Sequence, residues 1–261
     1  MKQVGTIDQQ DYSKYTETDH SVWNTCYHKV NDSNVDRADI EYLKGLEACN
    51  VTDNRIPKFS EISSRLKKAT GWEIVGSTGL ISSTEFFTLL SNKRFPVTTW
   101  IRTPEQMEYL QEPDLFHDFY GHVPLLFNPT FSEYLQWYGK QAIKFPTNRL
   151  SRLARLYWFT TEFGLIKRPE GMRIYGAGIL SSFGEVEYSL SNKSNKVKFN
   201  LARLLRSKYI ISDYQPTYFV IESYDELFDA VTNCDFEKEI SKAEELGDIQ
   251  SGEIISEDIL Y

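Results

Sequence analysis

The sequence predicts a mainly α-helical fold with a small β component. Amphipathic segments bounded by helix-start and helix-stop residues recur along the chain, whereas runs rich in β-branched residues are few and short. The composition of the 261 residues is 41% hydrophobic and 14% aromatic, which is enough to build one sizeable core. The length suits one sizeable domain or two small ones, and we expect helices to dominate while a few strands complete the fold.

The first half of the chain begins with a polar segment and continues with four predicted helices and one predicted strand. Residues 1–18 have no apolar run and are expected to form a loose arm. The helices are expected at residues 20–31, 36–50, 60–70 and 84–90, and the strand at residues 95–101. Pro57 and Gly71 bound the third helix. The glycine- and serine-rich residues 76–83 are expected to form a loop.

Two capping-box signatures predict further helix starts. In such a box a Ser or Thr side chain accepts a hydrogen bond from the backbone three residues on, and the residue there reaches back to the cap. Thr103 with Gln106 and Ser223 with Glu226 both have this spacing. They predict one helix that begins after Thr103 and another that begins after Ser223.

The second half of the chain is expected to hold the two longest helices and an acidic end. The helices are predicted at residues 131–144 and 150–163, and short strands at residues 172–175 and 218–221. Residues 235–261 hold nine carboxylates against two lysines, a net charge of 2 − 9 = −7, and predict a peripheral helix and tail. The main folded region is therefore expected to span residues 19–234, between the polar arm and the acidic end.

Composition excludes several classes of function. The net charge of −8 and the short basic clusters argue against a nucleic-acid or anionic-membrane surface. The sequence has no apolar run of membrane-spanning length, and its polar first residues predict no signal peptide. Its three cysteines, Cys26, Cys49 and Cys234, are widely spaced, so they predict neither a zinc ribbon nor a disulfide framework. We expect a protein of the reducing cytoplasm.

Two of the four histidines, His117 and His122, lie in one short window. Neutral imidazole is the commonest protein ligand for a transition metal, and Asp114 and Asp118 are natural acceptors for the ring N–H that does not bind metal. On a continuous α-helix, residues five apart point about 140° apart. We therefore expect the helix to end near Gly121, so that His122 turns back toward His117.

Glu162 is the candidate third ligand. Trp158 and Phe159 precede it by about one helical turn and Phe163 follows it, so its carboxylate is expected to be poorly hydrated and to need a cation. Two imidazoles and one carboxylate form the facial triad of non-haem Fe(II) oxygenases, and they also match a catalytic zinc site. The peptidase motifs H-E-x-x-H and H-x-x-E-H are absent from the sequence.

Three motifs resemble the tetrahydropterin-dependent aromatic amino acid hydroxylases. They are PDLFHDFYGHVP (residues 113–124), YWFTTEFGL (residues 157–165) and YGAGILSSFGE (residues 175–185), in the order that the family has them. The resemblance runs from about Trp23 to Val231. It implies the catalytic domain of that family, with His117, His122 and Glu162 as ligands of Fe(II).

The resemblance also implies a cofactor site and a substrate site. The residues implied at the tetrahydropterin are Gly79, Leu80, Ile81, Ser83, Phe86, Asp118, Ala154 and Tyr157. Those implied at the amino-acid substrate are Arg102, Asp114, Trp158, Phe163, Gly178, Ser181 and Ser182. Arg102 matches the arginine that binds the substrate carboxylate, and Asp114 would hold it in place. Two positions depart from animal members: Asp118 stands where they carry Glu, and Leu110 where they carry Thr.

The activity that the resemblance implies is hydroxylation of L-phenylalanine to L-tyrosine with O2, Fe(II) and a tetrahydropterin. A sister hydroxylase acting on tryptophan or tyrosine stays open as an alternative. Trp158 argues against tryptophan, because tryptophan hydroxylases resemble this motif but carry Phe there. A metal-binding protein of the same fold that lacks catalysis is the second alternative. We expect a bare catalytic domain that works as a monomer.

Overall fold

The computed structural model describes residues 4–107, 112–146 and 149–261. Helices hold 52% of the described residues and strands 13%, so the prediction of a mainly helical fold with a small β component is confirmed. The chain forms two compact units, one of Met1–Asp36 with Ile40–Lys144 and the other of Arg37–Asp39 with Phe145–Tyr261. None of the helices in the described ranges is both long and apolar enough to cross a lipid bilayer.

Among the described residues, the first unit combines five α-helices with a three-stranded sheet. Its helices are α1 (Glu17–Asn34), α2 (Ile40–Cys49), α3 (Phe59–Ala69), α4 (Ser83–Ser91) and α5 (Pro129–Ala142). Its strands, in sheet order, are β1 (Ile7–Asp8), β2 (Glu73–Ser77) and β3 (Arg94–Thr98). β1 pairs antiparallel with β2, and β2 pairs parallel with β3 across the α4 connection. The core of this unit is rich in aromatic side chains, including Trp23, Phe116, Phe119 and Tyr120.

Side-chain caps begin several of these helices. The Thr16 hydroxyl accepts from the Asp19 amide at 3.2 Å, and the Asp19 carboxylate accepts from the Thr16 amide at 2.7 Å. This reciprocal pair begins α1 three residues earlier than predicted. The box predicted at Thr103 is present, with the Thr103 amide donating to the Gln106 side chain at 3.0 Å, but it begins only the short 3-10 turn Pro104–Gln106.

The N-terminal segment and the loop after β2 differ from their predictions. The arm is attached rather than loose: the Tyr12 hydroxyl donates to the Ile56 carbonyl at 2.8 Å, and the Tyr15 hydroxyl to the Thr99 carbonyl at 2.7 Å. The predicted loop at 76–83 begins inside strand β2, which ends only at Ser77. The attachment of the arm was missed because its partners lie 44 residues or more away along the chain, so no local pattern reports them.

In the part of the chain that the structure describes, the second unit combines six α-helices with a four-stranded sheet. Its helices are α6 (Leu150–Tyr157), α7 (Ala177–Leu180), α8 (Glu185–Leu190), α9 (Leu201–Arg206), α10 (Tyr224–Thr232) and α11 (Phe236–Leu246). Its strands are β4 (Leu165–Arg168), β5 (Gly171–Ile174), β6 (Asn195–Lys198) and β7 (Thr217–Ile221), in the sheet order β5-β4-β7-β6. Every residue of β7 is buried, as expected for a central strand with both faces covered. The predicted cap of α10 is present, with the Glu226 amide donating to the Ser223 hydroxyl at 3.0 Å.

The acidic end of the chain is paired with arginines of the second unit. Asp248 contacts Arg152 at 2.7 Å and Arg155 at 2.8 Å, and Asp258 contacts Arg203 at 2.8 Å. Hydrogen bonding from Arg155, together with the charge of both α6 arginines, lowers the pKa of Asp248 to about 2. The segment predicted as a peripheral helix and tail is therefore fastened to α6 and α9.

Candidate active site

The two histidines lie on a π-helical turn, His117–His122. In a π-helix the backbone hydrogen bonds join residues i and i+5, so the side chains of residues five apart lie close together on one face. The ring centroids of His117 and His122 are 5.2 Å apart. The helical turn therefore continues past Gly121. The prediction that the helix ends near Gly121 is wrong. An i, i+5 pair meets on one face because the turn is wider than an α-helical turn.

The carboxylate of Asp114 fastens this turn to Arg102. Arg102 donates to it through Nε at 2.8 Å, Nη2 at 2.9 Å and its backbone amide at 2.9 Å. The backbone amide of His117 donates to the same carboxylate at 3.1 Å. Asp114 thus accepts a hydrogen bond from the backbone of His117. The sequence had predicted that it would accept one from the ring N–H of a histidine. Burial raises the pKa of Asp114, but the Arg102 contacts outweigh it and the net pKa lies below its ordinary value.

Asp118 lies on the same turn and is held by strand β3. Its carboxylate accepts from the Thr98 amide at 2.8 Å. Burial raises the pKa of this carboxyl, and the charges of His117 and His122 oppose the rise. Asp118 therefore lies within electrostatic reach of both predicted ligands.

Glu162 ends a second π-helical turn, Trp158–Glu162, which continues directly from α6. The Phe163 amide donates to the Trp158 carbonyl at 2.9 Å, a bond that spans five residues. The sequence predicted one continuous α-helix over residues 150–163. Instead, the wider π-helical turn replaces the α-helix from Trp158 onward and changes the direction in which the Glu162 side chain projects.

The glycines of the third motif lie against this turn. A Cβ at Gly178 would lie 2.8 Å from the ring of Phe163 and 3.1 Å from the Glu162 carbonyl oxygen. A Cβ at Gly176 would meet the Glu162 carbonyl even more closely. Any larger side chain at either position would push the ligand-bearing turn away. This steric role explains the spacing of Gly176 and Gly178 without any nucleotide-binding function.

Trp158 is fixed by a buried polar network that the sequence analysis did not find. Its indole Nε1 donates to the Gln215 side chain at 3.1 Å, and its ring stacks on Tyr209 with centroids 4.3 Å apart. Glu185 accepts from the Gln215 amide at 3.1 Å and from the Tyr218 hydroxyl at 2.7 Å. Burial raises the pKa of Glu185 to about 7. No local signal connects Trp158 with partners about fifty residues away.

The three predicted ligands come together. One nitrogen of His117, one nitrogen of His122 and one carboxylate oxygen of Glu162 all lie within 4.8 Å of one another. His122 is buried, with 5% of its surface exposed, whereas His117 and Glu162 are partly exposed. Two imidazole nitrogens and one carboxylate oxygen suit a divalent first-row metal and leave coordination positions for other ligands. The donor set therefore fits mononuclear iron.

The residues predicted at the cofactor have the accessibility that a flat ring requires. Gly79 has a φ of +152°, and a Cβ built there would meet nothing within 4 Å. Leu80 is 56% exposed. The other predicted members are half-buried or exposed: Ile81, Ser83, Phe86, Asp118, Ala154 and Tyr157. The loop thus offers an open backbone, and the ring of Phe86 is half-buried.

The two serines predicted at the substrate make local hydrogen bonds. Ser181 donates to the Ala177 carbonyl at 2.8 Å, and Ser182 accepts from the Glu185 amide at 3.3 Å. The Ser182 hydroxyl therefore stabilises the local turn between residues 182 and 185, a role that needs no substrate. Leu110, the predicted departure from animal members, lies outside the described residues.

These observations define a class first: a mainly helical protein with a candidate mononuclear metal site of two histidines and one glutamate. Residues 6–246 match the profile of the biopterin-dependent aromatic amino acid hydroxylases. The chain belongs to this family, and its fold is that of the family's catalytic domain.

Relatives and solved structures agree with this assignment. The chain is 50% identical to a phenylalanine-4-hydroxylase of Chromobacterium violaceum over 223 residues, which cover 85% of this chain and 75% of that protein. A crystal structure of phenylalanine hydroxylase from the same organism, with iron and phenylalanine bound, has a TM-score of 0.92 at 45% identity and covers 98% of this chain and 93% of that chain. Another, with iron(III) and 7,8-dihydrobiopterin bound, has a TM-score of 0.93 at 46% identity and covers 98% and 92%.

Proposed function

We propose that this chain is an Fe(II)- and tetrahydropterin-dependent monooxygenase that converts L-phenylalanine and O2 to L-tyrosine. The observation that carries the proposal is the convergence of His117, His122 and Glu162 within 4.8 Å. The substrate follows from the relatives, which are phenylalanine-4-hydroxylases, and from the related structure that holds iron and phenylalanine. Iron and pterin supply the activation of O2 when they are bound, and the protein supplies binding and orientation.

The metal ligands are proposed to be His117, His122 and Glu162. The imidazoles bind in their neutral form, and the carboxylate of Glu162 offsets one of the two positive charges of Fe(II). Asp118 adds a negative charge near the two histidines, and Asp114 fixes the backbone at His117. These two carboxylates hold the ligand-bearing turn in position before the metal binds.

Arg102 is proposed to bind the substrate carboxylate. Its Nε and Nη2 already bond Asp114, so the guanidinium is fixed along one edge and its plane cannot rotate. A carboxylate approaching another edge then meets donors of defined direction, which suits the planar pairing of guanidinium with carboxylate. Asp114 acts here as the residue that orients Arg102.

The remaining predicted residues are proposed to shape two binding surfaces. Gly79, Leu80, Ile81, Ser83, Phe86, Asp118, Ala154 and Tyr157 are assigned to the pterin, and Trp158, Phe163, Gly178, Ser181 and Ser182 to the amino acid. The rings of Trp158 and Phe163 pack against each other, tilted by 34° with centroids 4.8 Å apart, and this aromatic surface excludes water from the ring to be hydroxylated. Exclusion of water limits side reactions of reactive intermediates.

We also propose bounds for the catalytic region and a cellular compartment for the enzyme. Residues 19–234 are assigned as the catalytic region, between the N-terminal arm and the acidic end. Cys26, Cys49 and Cys234 are all free thiols, and burial raises the pKa of Cys26 to about 12. Three free cysteines, of which Cys26 and Cys49 are buried, support a location in the reducing cytoplasm.

A product assay tests the function. Purified protein is loaded with Fe(II) and incubated with a tetrahydropterin, O2 and each of phenylalanine, tyrosine and tryptophan, and the products are separated by chromatography. Tyrosine from phenylalanine is the expected main product, with Glu162→Gln as the inactive control. Preferential hydroxylation of tryptophan or tyrosine would make the chain a sister enzyme. No product from any of the three, with iron bound, would leave a metal-binding protein without this activity.

A further inference from the structure

The N-terminal segment is hydrogen-bonded to the loop that follows β2. β1 and β2 form an antiparallel pair, and the pairing continues beyond both strand ends. The Gly5 amide donates to the Leu80 carbonyl at 2.8 Å, and the Thr78 amide donates to the Thr6 carbonyl at 2.9 Å. The Thr6 amide in turn donates to the Thr78 hydroxyl oxygen at 2.9 Å. The N-terminal segment therefore satisfies backbone groups of the exposed loop.

Two glycines bring the segment and the loop into direct backbone contact. A Cβ at Gly5 would lie 2.6 Å from the carbonyl carbon and oxygen of Gly79 and 2.9 Å from its nitrogen. A Cβ at Gly76 would lie 2.5 Å from the Asp8 carbonyl oxygen. Backbone atoms cannot yield as the end of a flexible side chain can. Any side chain at Gly5 must therefore displace Gly79.

The opposite side of Gly79 is open. A Cβ built on Gly79 itself would meet nothing within 4 Å, and its φ of +152° is a conformation that residues other than glycine rarely adopt. Leu80, the next residue, is 56% exposed. The loop is thus supported by Gly5 on one side and accessible to a planar ligand on the other.

We propose that residues 5–8 position the pterin-binding loop and that Gly5 is the positioning residue, a role that rests on the proposed function. The hydrogen bonds of Gly5 and Thr6 to Leu80 and Thr78 hold the loop against the N-terminal segment. The Gly5–Gly79 contact sets how far the loop backbone projects toward the cofactor. Gly5 touches neither cofactor nor substrate and acts through Gly79. Binding of the amino acid depends on other elements, so the effect is specific to the pterin.

The test compares Gly5→Ala with Val4→Ala in the full-length, iron-loaded protein. Val4 is 61% exposed and its truncation leaves Gly5 unchanged, so it serves as the matched control. Binding of 7,8-dihydrobiopterin is measured by titration calorimetry, and KM is measured for tetrahydropterin and for phenylalanine. Because a misplacement of about 1 Å can cost about a hundredfold, the shift of at least about half an ångström that relieves the 2.6 Å contact is expected to weaken pterin binding about tenfold.

The expected pattern is a raised pterin Kd and pterin KM in Gly5→Ala, an unchanged phenylalanine KM, and wild-type values in Val4→Ala. Faster hydrogen exchange of the Thr78 amide should accompany the change, since its acceptor Thr6 moves. An unchanged pterin Kd, or equal losses for pterin and phenylalanine, would overturn the proposal. If Gly5→Ala does not fold, Thr78→Val removes the acceptor of the Thr6 amide and must give the same pattern in weaker form. A wild-type protein that binds no pterin would contradict the proposed function instead.

Discussion

The two turns that carry the proposed metal ligands share a backbone form and differ in what holds them. His117–His122 and Trp158–Glu162 are both π-helical. The first is held by charge: Asp114 binds Arg102 and the His117 amide, and Asp118 binds the Thr98 amide. The second is held by shape, through the stacking of Trp158 on Tyr209 and the close approach of Gly178. The first turn should therefore respond to changes of charge, and the second to changes of volume.

Loss of a metal ligand from either turn should have the largest effect. We expect His122→Ala and Glu162→Ala to lose at least about tenfold in iron affinity and to abolish turnover, because even residues behind the ligands contribute on that scale. Iron content by metal analysis and product formation measure the loss, and circular dichroism checks that the fold persists. Glu162→Gln keeps the shape of the second turn and removes only its charge. Wild-type iron content and activity in any of these variants would refute the ligand assignment.

Arg102→Lys should break the charged support of the first turn and give the next largest effect. An ammonium cannot occupy both oxygens of Asp114 as Nε and Nη2 do. We expect KM for phenylalanine to rise by about one to two orders of magnitude, since a hydrogen bond to a charged group contributes about 1.5–3 kcal/mol. The KM for tetrahydropterin should change little. Equal increases in both KM values would indicate a general structural role for Arg102.

Trp158→Phe should test the support by shape in the second turn. The smaller ring enlarges the pocket, so the ratio of kcat/KM values should shift toward tryptophan by about 1–3 kcal/mol, the scale on which apolar pocket volume discriminates between substrates. Competition between phenylalanine and tryptophan, with products separated by chromatography, measures the shift. Iron content should stay unchanged, because Glu162 is retained.

A matched variant separates the volume of Trp158 from its hydrogen bond. Gln215→Met removes the acceptor of the indole Nε1 and keeps a side chain of similar size. If volume decides the substrate, Gln215→Met should leave the product ratio close to wild type. A product ratio that does not move in Trp158→Phe would remove this residue from the pocket wall.

Local signals in the sequence predicted most helices and pointed to three candidate metal ligands. The capping residues Thr103 and Ser223 make the predicted bonds, and His117, His122 and Glu162 come together. The π-helical form of both turns was missed, because the bond from Phe163 to Trp158 has no residue signature. The pairing of Gly5 with Leu80 and the contact of Trp158 with Gln215 were missed because they join distant parts of the chain. Charge counting likewise could not show that Asp248 has arginine partners.

The smallest expected effect concerns the ion pairs between Asp248 and the arginines of α6. These pairs show that the stability of the second unit also depends on charge. Asp248 contacts Arg152 and Arg155, and its pKa in the folded protein is about 2, below the ordinary 3.8. A carboxyl with a lowered folded-state pKa contributes stability that is fully present above pH about 4 and is lost as the pH falls through about 2. Because the pair is partly exposed and screened, we expect Asp248→Asn to lower the free energy of unfolding by about 1 kcal/mol at pH 7. This corresponds to a Tm lower by about 2–4 °C.

Thermal unfolding at a series of pH values measures this effect, with Glu257→Gln as the control for loss of an exposed carboxylate in the same segment. The difference between wild type and Asp248→Asn should shrink below pH about 4 and vanish only below pH about 2, because the folded wild-type carboxyl is still half ionised at its pKa. A difference that persists unchanged from pH about 4 down to about 2 would mean that the substituted amide is disfavoured by shape rather than by charge. In that case the arginines of α6 would be held by packing, as the turn that continues from α6 to Glu162 is.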